Sequence, residues 1–367
     1  MMGTTQAAGA ARPMQIHTRP INERVNWLME LSRAYSEGFC SPSAWLARER
    51  YLAVHPTRII VLKCMDGRIQ IPHTTRTPLG IIYPFRNLGG IFDLGWPYLG
   101  EILTGTVHEA TRAGHPALML ITYHFSRGDP SRGCAGFDCD TEAAVDHAYQ
   151  IRTQAEALFG DDHAHVYPLV CGFETDSDAL IIHGNDGATL DVSALDVDDA
   201  PSLEQRVMAL CPDMPAPVCR DLLPFLEGNL AHVHSIRGVA RELDIEHREW
   251  AICLGGGFDF LHVPNMALII GPYNPNLSEP IGTAAGIIVD NMAAGRIPDD
   301  GFLLLASTPY QEFGVDRARA ELKSRFLAHF AAEVIRRDHP ELAKRMTAYT
   351  AVVNWPTRRL DILEMTS

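Results

Sequence analysis

The sequence contains nothing close to the ~18 consecutive apolar residues that a membrane-spanning helix needs. Its opening residues, MMGTTQAAGAARP, lack the apolar stretch of a secretory signal and are expected to be a disordered leader. Positive charge is also short. Thirty-one Lys and Arg face 45 Asp and Glu, for a formal net charge of −14. Nucleic acids and anionic membranes are held by clustered basic residues, so neither is an expected partner. Cysteine is sparse, eight in 367 residues at irregular spacing. Without a signal, reduced thiols in a cytoplasmic chain are expected rather than a disulfide framework. In that setting a Cys beside His and Asp becomes a metal or catalytic candidate.

What is present is an ordinary globular composition, 46% hydrophobic and 21% charged. The length allows two cores, since single cores stop growing near ~250–300 residues. Residues 20–53 read as helical, with Asn22 a candidate cap and a second short helix starting near Ser41-Pro42-Ser43. Arg58 to Leu62, running into Lys63-Cys64, reads as a buried strand, and Leu79 to Tyr83 as the next, followed by a turn at Arg86-Asn87-Leu88-Gly89-Gly90. A helix over 98–113 ends at Gly114. A strand over 117–122 stops at Tyr123-His124, and a helix over 141–159 precedes a short strand at 166–170. Strands alternating with helices predict an α/β fold, a mostly parallel sheet flanked by helices. The Asp-rich segment 175–200, with hairpin-like Gly184-Asn185-Asp186-Gly187, reads as a boundary or excursion. Helices are expected again over 203–210 and 221–243.

The second half echoes the first. Trp250 to Gly255 parallels the strand ending at Cys64, and Met266 to Ile270 the strand at 79–83. Gly286 to Gly295 parallels Gly105 to Gly114, and Phe302 to Ser307 the strand ending at His124. Four elements in one order at similar spacing predict an internal duplication. Two unrelated α/β units are the alternative. The expected division is 1–54 leader and N-terminal helices, 55–200 a catalytic α/β domain, and 201–367 a degenerate copy. The copy lacks the chemistry: Gly255-Gly256-Gly257-Phe258-Asp259 stands opposite Cys64-Met65-Asp66-Gly67-Arg68, and Thr308-Pro309-Tyr310 opposite His124.

Cys64 and His124 both sit at C-terminal strand ends, the edge where parallel α/β sheets bind ligands, and Cys134 lies on the loop after His124. Two thiolates and an imidazole form a catalytic zinc shell with one position open for water. Zinc can lower the pKa of that water from 15.7 to roughly 7, giving a hydroxide able to attack an electrophilic carbon. Asp66 and Arg68, two apart on extended backbone, would project to one side, so that Arg68 orients Asp66 by a paired hydrogen bond. Asp66 could then accept a hydrogen bond from the zinc hydroxide, or swing onto the metal.

Cys64-x-Asp66-x-Arg68 after a strand, Arg86-Asn87-Leu88-Gly89-Gly90, and a strand ending in His124 with Cys134-Ala135-Gly136 downstream together resemble the β-class carbonic anhydrases, over about residues 55–160. The resemblance implies reversible hydration of carbon dioxide to bicarbonate and a proton by zinc-bound hydroxide. It implies Cys64, His124 and Cys134 as metal ligands, Asp66 and Arg68 as the catalytic dyad, and Arg86 to Gly90 as shaping the site without touching the metal. Common members have two residues between the His and the second Cys; here there are nine. That spacing, with a second, site-less copy, is similar to the divergent carboxysome shell carbonic anhydrases. That branch carries a further N-terminal domain that this sequence is expected largely to lack, which counts against a carboxysome; the cytoplasm is the expected compartment and a carboxysome the alternative. The longer loop also leaves Cys139 open as the third ligand; Cys134 is preferred because Cys-Ala-Gly matches the family. A second copy in one chain would form an intramolecular pseudo-dimer, and a homodimer or higher homo-oligomer is expected.

Other features read as structure. Cys211 and Cys219 have no His between them, His232 and His234 would face different sides of a helix, and Gly255-Gly256-Gly257 lacks the partners of a phosphate loop. Two further functional readings stay open: a non-catalytic zinc-bearing scaffold or bicarbonate-responsive protein, and hydrolysis of carbonyl sulfide or carbon disulfide at the same zinc.

Overall fold

A computed structural model of the chain describes residues 15–261 and 265–366. The expected leader lies outside them. In chain order the elements are α1 (Ile21–Cys40), α2 (Pro42–Val54), β1 (Arg58–Cys64), α3 (Ile71–Thr74), β2 (Ile82–Asn87), α4 (Pro97–Arg112), β3 (Ala117–Phe125), α5 (Thr141–Phe159), β4 (Val166–Glu174), β5 (Ala179–His183) and β6 (Thr189–Asp191). There follow α6 (Leu203–Leu210), α7 (Ala216–Ile236), α8 (Glu242–Ile245), β7 (Ala251–Gly255), β8 (Ala267–Ile270), α9 (Ser278–Ala293), β9 (Phe302–Tyr310), α10 (Val315–Asp338), α11 (Pro340–Ala343), β10 (Met346–Asn354) and β11 (Arg359–Thr366). Among the described residues no helix is long and apolar enough to cross a membrane.

The chain forms two compact units. One comprises Ala47–Met65 and Ile69–Ile245; the other comprises Asp66–Arg68, Glu246–Ser367 and the chain up to Leu46. Each holds a mostly parallel sheet flanked by helices, the expected α/β class. The first sheet runs β2-β1-β3-β4-β5-β6 and the second β11-β10-β9-β7-β8. Read from their β2 and β8 ends, the two share one strand order. The directions also agree: three parallel pairings, then an antiparallel one, β4 with β5 in the first and β10 with β11 in the second. The first sheet adds β6.

In the first unit the central strands β1, β3 and β4 are apolar and almost wholly buried, as a sheet covered on both faces requires. α4 buries Leu99, Leu103, Val107 and Ala110 on one stripe, and α5 buries Ala144, Ala148, Ile151 and Ala155 at helical spacing. Asp140 caps α5 by accepting from Ala143 N at 3.1 Å. β2 starts three residues later than expected and takes in Arg86 and Asn87. A turn occupies 78–81, where Ile81 N donates to Pro78 O and Gly80 has φ of 91°. Pro84 falls inside β2, which is tolerable because β2 is an edge strand. The acidic segment after 175 is no simple boundary, since 179–183 and 189–191 extend this sheet as β5 and β6. α7 begins at Ala216 after Pro215 and stops at Ile236, so the single helix expected over 221–243 is replaced by α7 and a short α8.

In the second unit Asn22 does not cap α1. The helix starts at Ile21, and its first N–H donates at 2.7 Å to Asp300 Oδ2, a tertiary carboxylate standing in for a local cap. Arg24, buried on the same helix, pairs with Asp300 and lies over the Trp250 ring. α10, β10 and β11 were not anticipated. The buried stripe of α10 is mostly Ala and Ser, while Leu322 and Phe326 are exposed, so its apolar periodicity is blurred.

Gly228 on α7 is a packing requirement of the first unit. An ideal Cβ there would fall deep inside the van der Waals shell of Thr75 O. Beside it Asn229 donates to Thr74 O and Asp178 O and accepts from Leu180 N. Gly228→Ala should therefore lower stability by about 1–3 kcal/mol, the range for overpacking, read as a reduced urea midpoint.

Candidate metal centre

Cys64 is the last residue of β1, and His124 lies one residue before the end of β3. These strands are parallel neighbours with Leu62 opposite Ile121, and Thr122 Oγ1 donates to Leu62 O at 2.8 Å. Both side chains thus reach the C-terminal edge of the sheet. Cys134 joins them from the following loop. One donor atom from each of Cys64, His124 and Cys134 lies within 4.8 Å of the other two, and all three residues are buried, at 5%, 1% and 2% exposure.

The long loop before Cys134 is tied down by acids from the β4–β5 turn. Ser126 Oγ donates to Asp176, Gly128 N donates to Asp176 Oδ2 at 2.6 Å, and Arg127 N donates to Glu174 Oε1 at 3.2 Å. Asp129 then caps a single turn by accepting from Ser131 N. Cys139 stands apart from the three-residue group; its thiol points at Ser131 O, 3.4 Å away.

The Arg86 to Gly90 motif supplies the neighbouring wall. Arg86 and Asn87 belong to β2, with Asn87 in register with Cys64 and accepting from Met65 N at 2.9 Å. The turn proper is Leu88-Gly89-Gly90, both glycines having φ of 67°. It packs backbone to backbone against Cys134-Ala135-Gly136. An ideal Cβ on Gly136 would stand 2.5 Å from Gly89 Cα, and one on Gly90 3.0 Å from Thr122 O. The two sequence motifs are therefore two sides of one contact, and both need glycine for close approach.

The donor set fits zinc. Two thiolates each ~2.3 Å from one tetrahedral zinc stand about 3.8 Å apart. Cys64 Sγ and Cys134 Sγ are 3.8 Å apart, too far for a disulfide. Buried thiolates with an imidazole are soft-to-borderline donors, which suit zinc over calcium or magnesium.

Asp66 and Arg68 pair, but not from extended backbone. Asp66-Gly67-Arg68 is a turn in which Arg68 N donates to Asp66 Oδ1 at 2.7 Å. The short Asp side chain closes its own turn, which brings the guanidinium round to grip it. Arg68 Nε lies 3.1 Å from Oδ1 and Nη2 2.7 Å from Oδ2, a two-pronged ion pair at 6% and 3% exposure.

Sequence reasoning missed His247 and Glu249, in the same unit as this turn. Donor atoms of Asp66, His247 and Glu249 all lie within 4.8 Å of one another. Glu249 is fully buried, and His247 Nδ1 lies 3.1 Å from each of its carboxylate oxygens. Burial works against the His247 imidazolium, yet the adjoining Glu249 carboxylate raises its pKa overall. Burial likewise opposes the Glu249 charge, and His247 more than offsets it, holding that carboxyl below its usual range. The one available signal was His-x-Glu directly before the apolar strand at Trp250.

The remaining expected residues are structural neighbours. His232 pairs with Asp178 at 2.8 Å, while His234 meets Leu195 O, so the two do face apart. Cys211 and Cys219 are buried and belong to no metal-type cluster among the described residues.

A parallel sheet with Cys, His and Cys gathered at its C-terminal edge is a carbonic-anhydrase-like arrangement. Residues 55–200 match the family model described as the carboxysome shell carbonic anhydrase, catalytic domain. Two curated proteins named carboxysome shell carbonic anhydrase are also similar. The one from Prochlorococcus marinus (strain MIT 9313) is 27% identical over 239 residues, covering 56% of this chain and 46% of that protein. The one from Halothiobacillus neapolitanus (strain ATCC 23641 / c2) is 25% identical over 253 residues, covering 56% and 48%. The chain spans about half the length of the curated relatives it matches. Through residues 55–200 it is similar to the catalytic domain of the carboxysome shell carbonic anhydrases.

The paired glycines give a direct expectation. Gly136→Ala should force the loop carrying Cys134 away from Gly89, costing about 1–3 kcal/mol by overpacking. Faster alkylation of Cys134, located by peptide mass mapping, would report it.

Proposed function

We propose that this chain is a zinc-dependent carbonic anhydrase, a lyase that converts carbon dioxide and water reversibly to bicarbonate and a proton. The observation carrying this reading is the buried Cys64–His124–Cys134 convergence inside the segment that matches a carbonic anhydrase catalytic domain. These three residues would hold the zinc. When bound, zinc supplies a water acidic enough to yield hydroxide near neutral pH.

The chain's own residues supply aim. Asp66 follows Cys64 by two residues, and Arg68 grips its carboxylate through four hydrogen bonds, one from its backbone N–H and three from its guanidinium. Asp66 accepts a hydrogen bond from the nucleophilic oxygen and directs that oxygen's lone pair at the carbon of carbon dioxide. Arg68 keeps the carboxylate from rotating. Charge-assisted, two-pronged pairs are the directional kind suited to that task.

We further read 55–200 as the catalytic domain and 201–367 as its degenerate copy. The shared strand order of the two sheets supports this. The acting compartment is the cytoplasm or, as the relatives' names suggest, a carboxysome. The chain is proposed to form a homodimer or higher homo-oligomer. Val315, Leu322 and Phe326 support this as an apolar stripe on α10, each more than 60% exposed.

Zinc per chain and stopped-flow hydration test the main reading together. Wild type should carry one zinc; Cys64→Ser and Cys134→Ser should lose it and Cys139→Ser should keep it. Asp66→Ala should retain zinc while activity falls ~10²-fold or more, as for loss of a positioned acid–base group. A zinc-loaded wild type with no rate above buffer between about pH 7 and 9 would favour the scaffold reading instead. Separately, Leu322→Glu with Phe326→Glu should lower the sedimentation coefficient to that of a monomer.

A further inference from the structure

The Asp66 turn rests on the buried His247–Glu249 pair. Gly67 leaves no room for a side chain: an ideal Cβ would lie 3.1 Å from Glu249 Cγ, 3.2 Å from Glu249 Oε1 and 2.9 Å from Ala267 O. Gly67 O accepts from Asn265 N at 2.9 Å, which pins the turn from another side. Glu249 is itself fixed. Asn291 Nδ2 donates to its backbone oxygen at 3.0 Å and to Oε2 at 3.3 Å, and Asn291 is fully buried. A buried carboxylate is costly unless it is paired and hydrogen-bonded. Two of them, Asp66 and Glu249, lie here beside the Arg68 guanidinium and the His247 imidazole.

We propose that His247 and Glu249 are positioning residues for Asp66, completing with Arg68 the frame that fixes the direction of its carboxylate. They lie immediately before β7, outside the segment 55–200 that matches the catalytic domain. This rests on the carbonic anhydrase reading for its kinetic consequence, but not for its structural one. A second metal at Asp66, His247 and Glu249 is the competing explanation of the cluster. The geometry favours positioning. His247 Nδ1 sits at hydrogen-bond distance from Glu249, Arg68 already occupies both Asp66 oxygens, and its fixed charge opposes a cation there.

The test is a double-mutant cycle on the full chain, read in two ways. In urea unfolding, the midpoint shift caused by His247→Gln should shrink by half or more when Asp66 is already Asn, because contacting residues couple and distant ones add. In stopped flow, His247→Gln should keep one zinc per chain, lower kcat at least tenfold and leave KM within twofold. Glu249→Gln, which keeps the side-chain shape, should lose less activity than Glu249→Ala. If His247→Gln does not fold, Glu249→Gln with Asp66→Asn is read in the same two assays. Additive midpoint shifts with a wild-type kcat would overturn the proposal. So would a second equivalent of zinc that only His247→Gln removes. A coupled cycle in a wild type that does not hydrate carbon dioxide would keep the positioning role and sink the enzymatic reading.

Discussion

The candidate centre depends first on the parallel pairing of β1 with β3. Their register, with Leu62 opposite Ile121, brings Cys64 and His124 to the same sheet edge although 59 residues separate them in sequence. A parallel pair cannot close by a tight hairpin and needs a crossover, here containing β2 and α4. A slip of one residue would turn every side chain of one strand to the other face. The buried bond from Thr122 to Leu62 O opposes such a slip immediately below the site.

Within each unit the buried chemistry is of one donor type. Sulfur and imidazole gather at strand ends and on one loop; carboxylates and their cationic partners gather in the Asp66 turn and before β7. Apolar burial makes both clusters demanding. A buried thiolate or carboxylate survives only with a partner that compensates its charge, so each group constrains the ones beside it. Stability and function therefore draw on the same contacts, and the substitutions that reorient a side chain are also those that leave a charge unpaired.

Much of this was legible because the relevant signals are local. Cys64 and His124 stand at the ends of apolar runs that stop abruptly, and such runs mark strand ends, while Cys134 was readable from the Cys-Ala-Gly pattern on the loop that follows. The helix expected over 141–159 is found with those bounds, and the structure adds Asp140 as its cap. What escaped was set by distant partners. Asn22 yields its capping role to Asp300, nearly 280 residues away. β2 accepts Pro84 because it is the edge strand among the described residues, a property of the sheet rather than the segment. Glu249 looks like one acidic residue among 45 until the fold buries it against His247. The Asp66–Arg68 pairing was foreseen, but the backbone that makes it was not, since a turn and a strand can both bring residues two apart together.

The contact between Gly89 and Gly136 has a consequence for how such a chain can change. It anchors the thiol-bearing end of the loop independently of the residues leading to it. Closing a flexible loop of twice the length costs only about 0.6 kcal/mol more. Beyond Ser126, Arg127 and Gly128, which are held by Asp176 and Glu174, the span before Cys134 can thus change length at small entropic cost while the thiol stays in place. The two glycines act as a splice point that holds the thiol end while the segment between His124 and Cys134 varies.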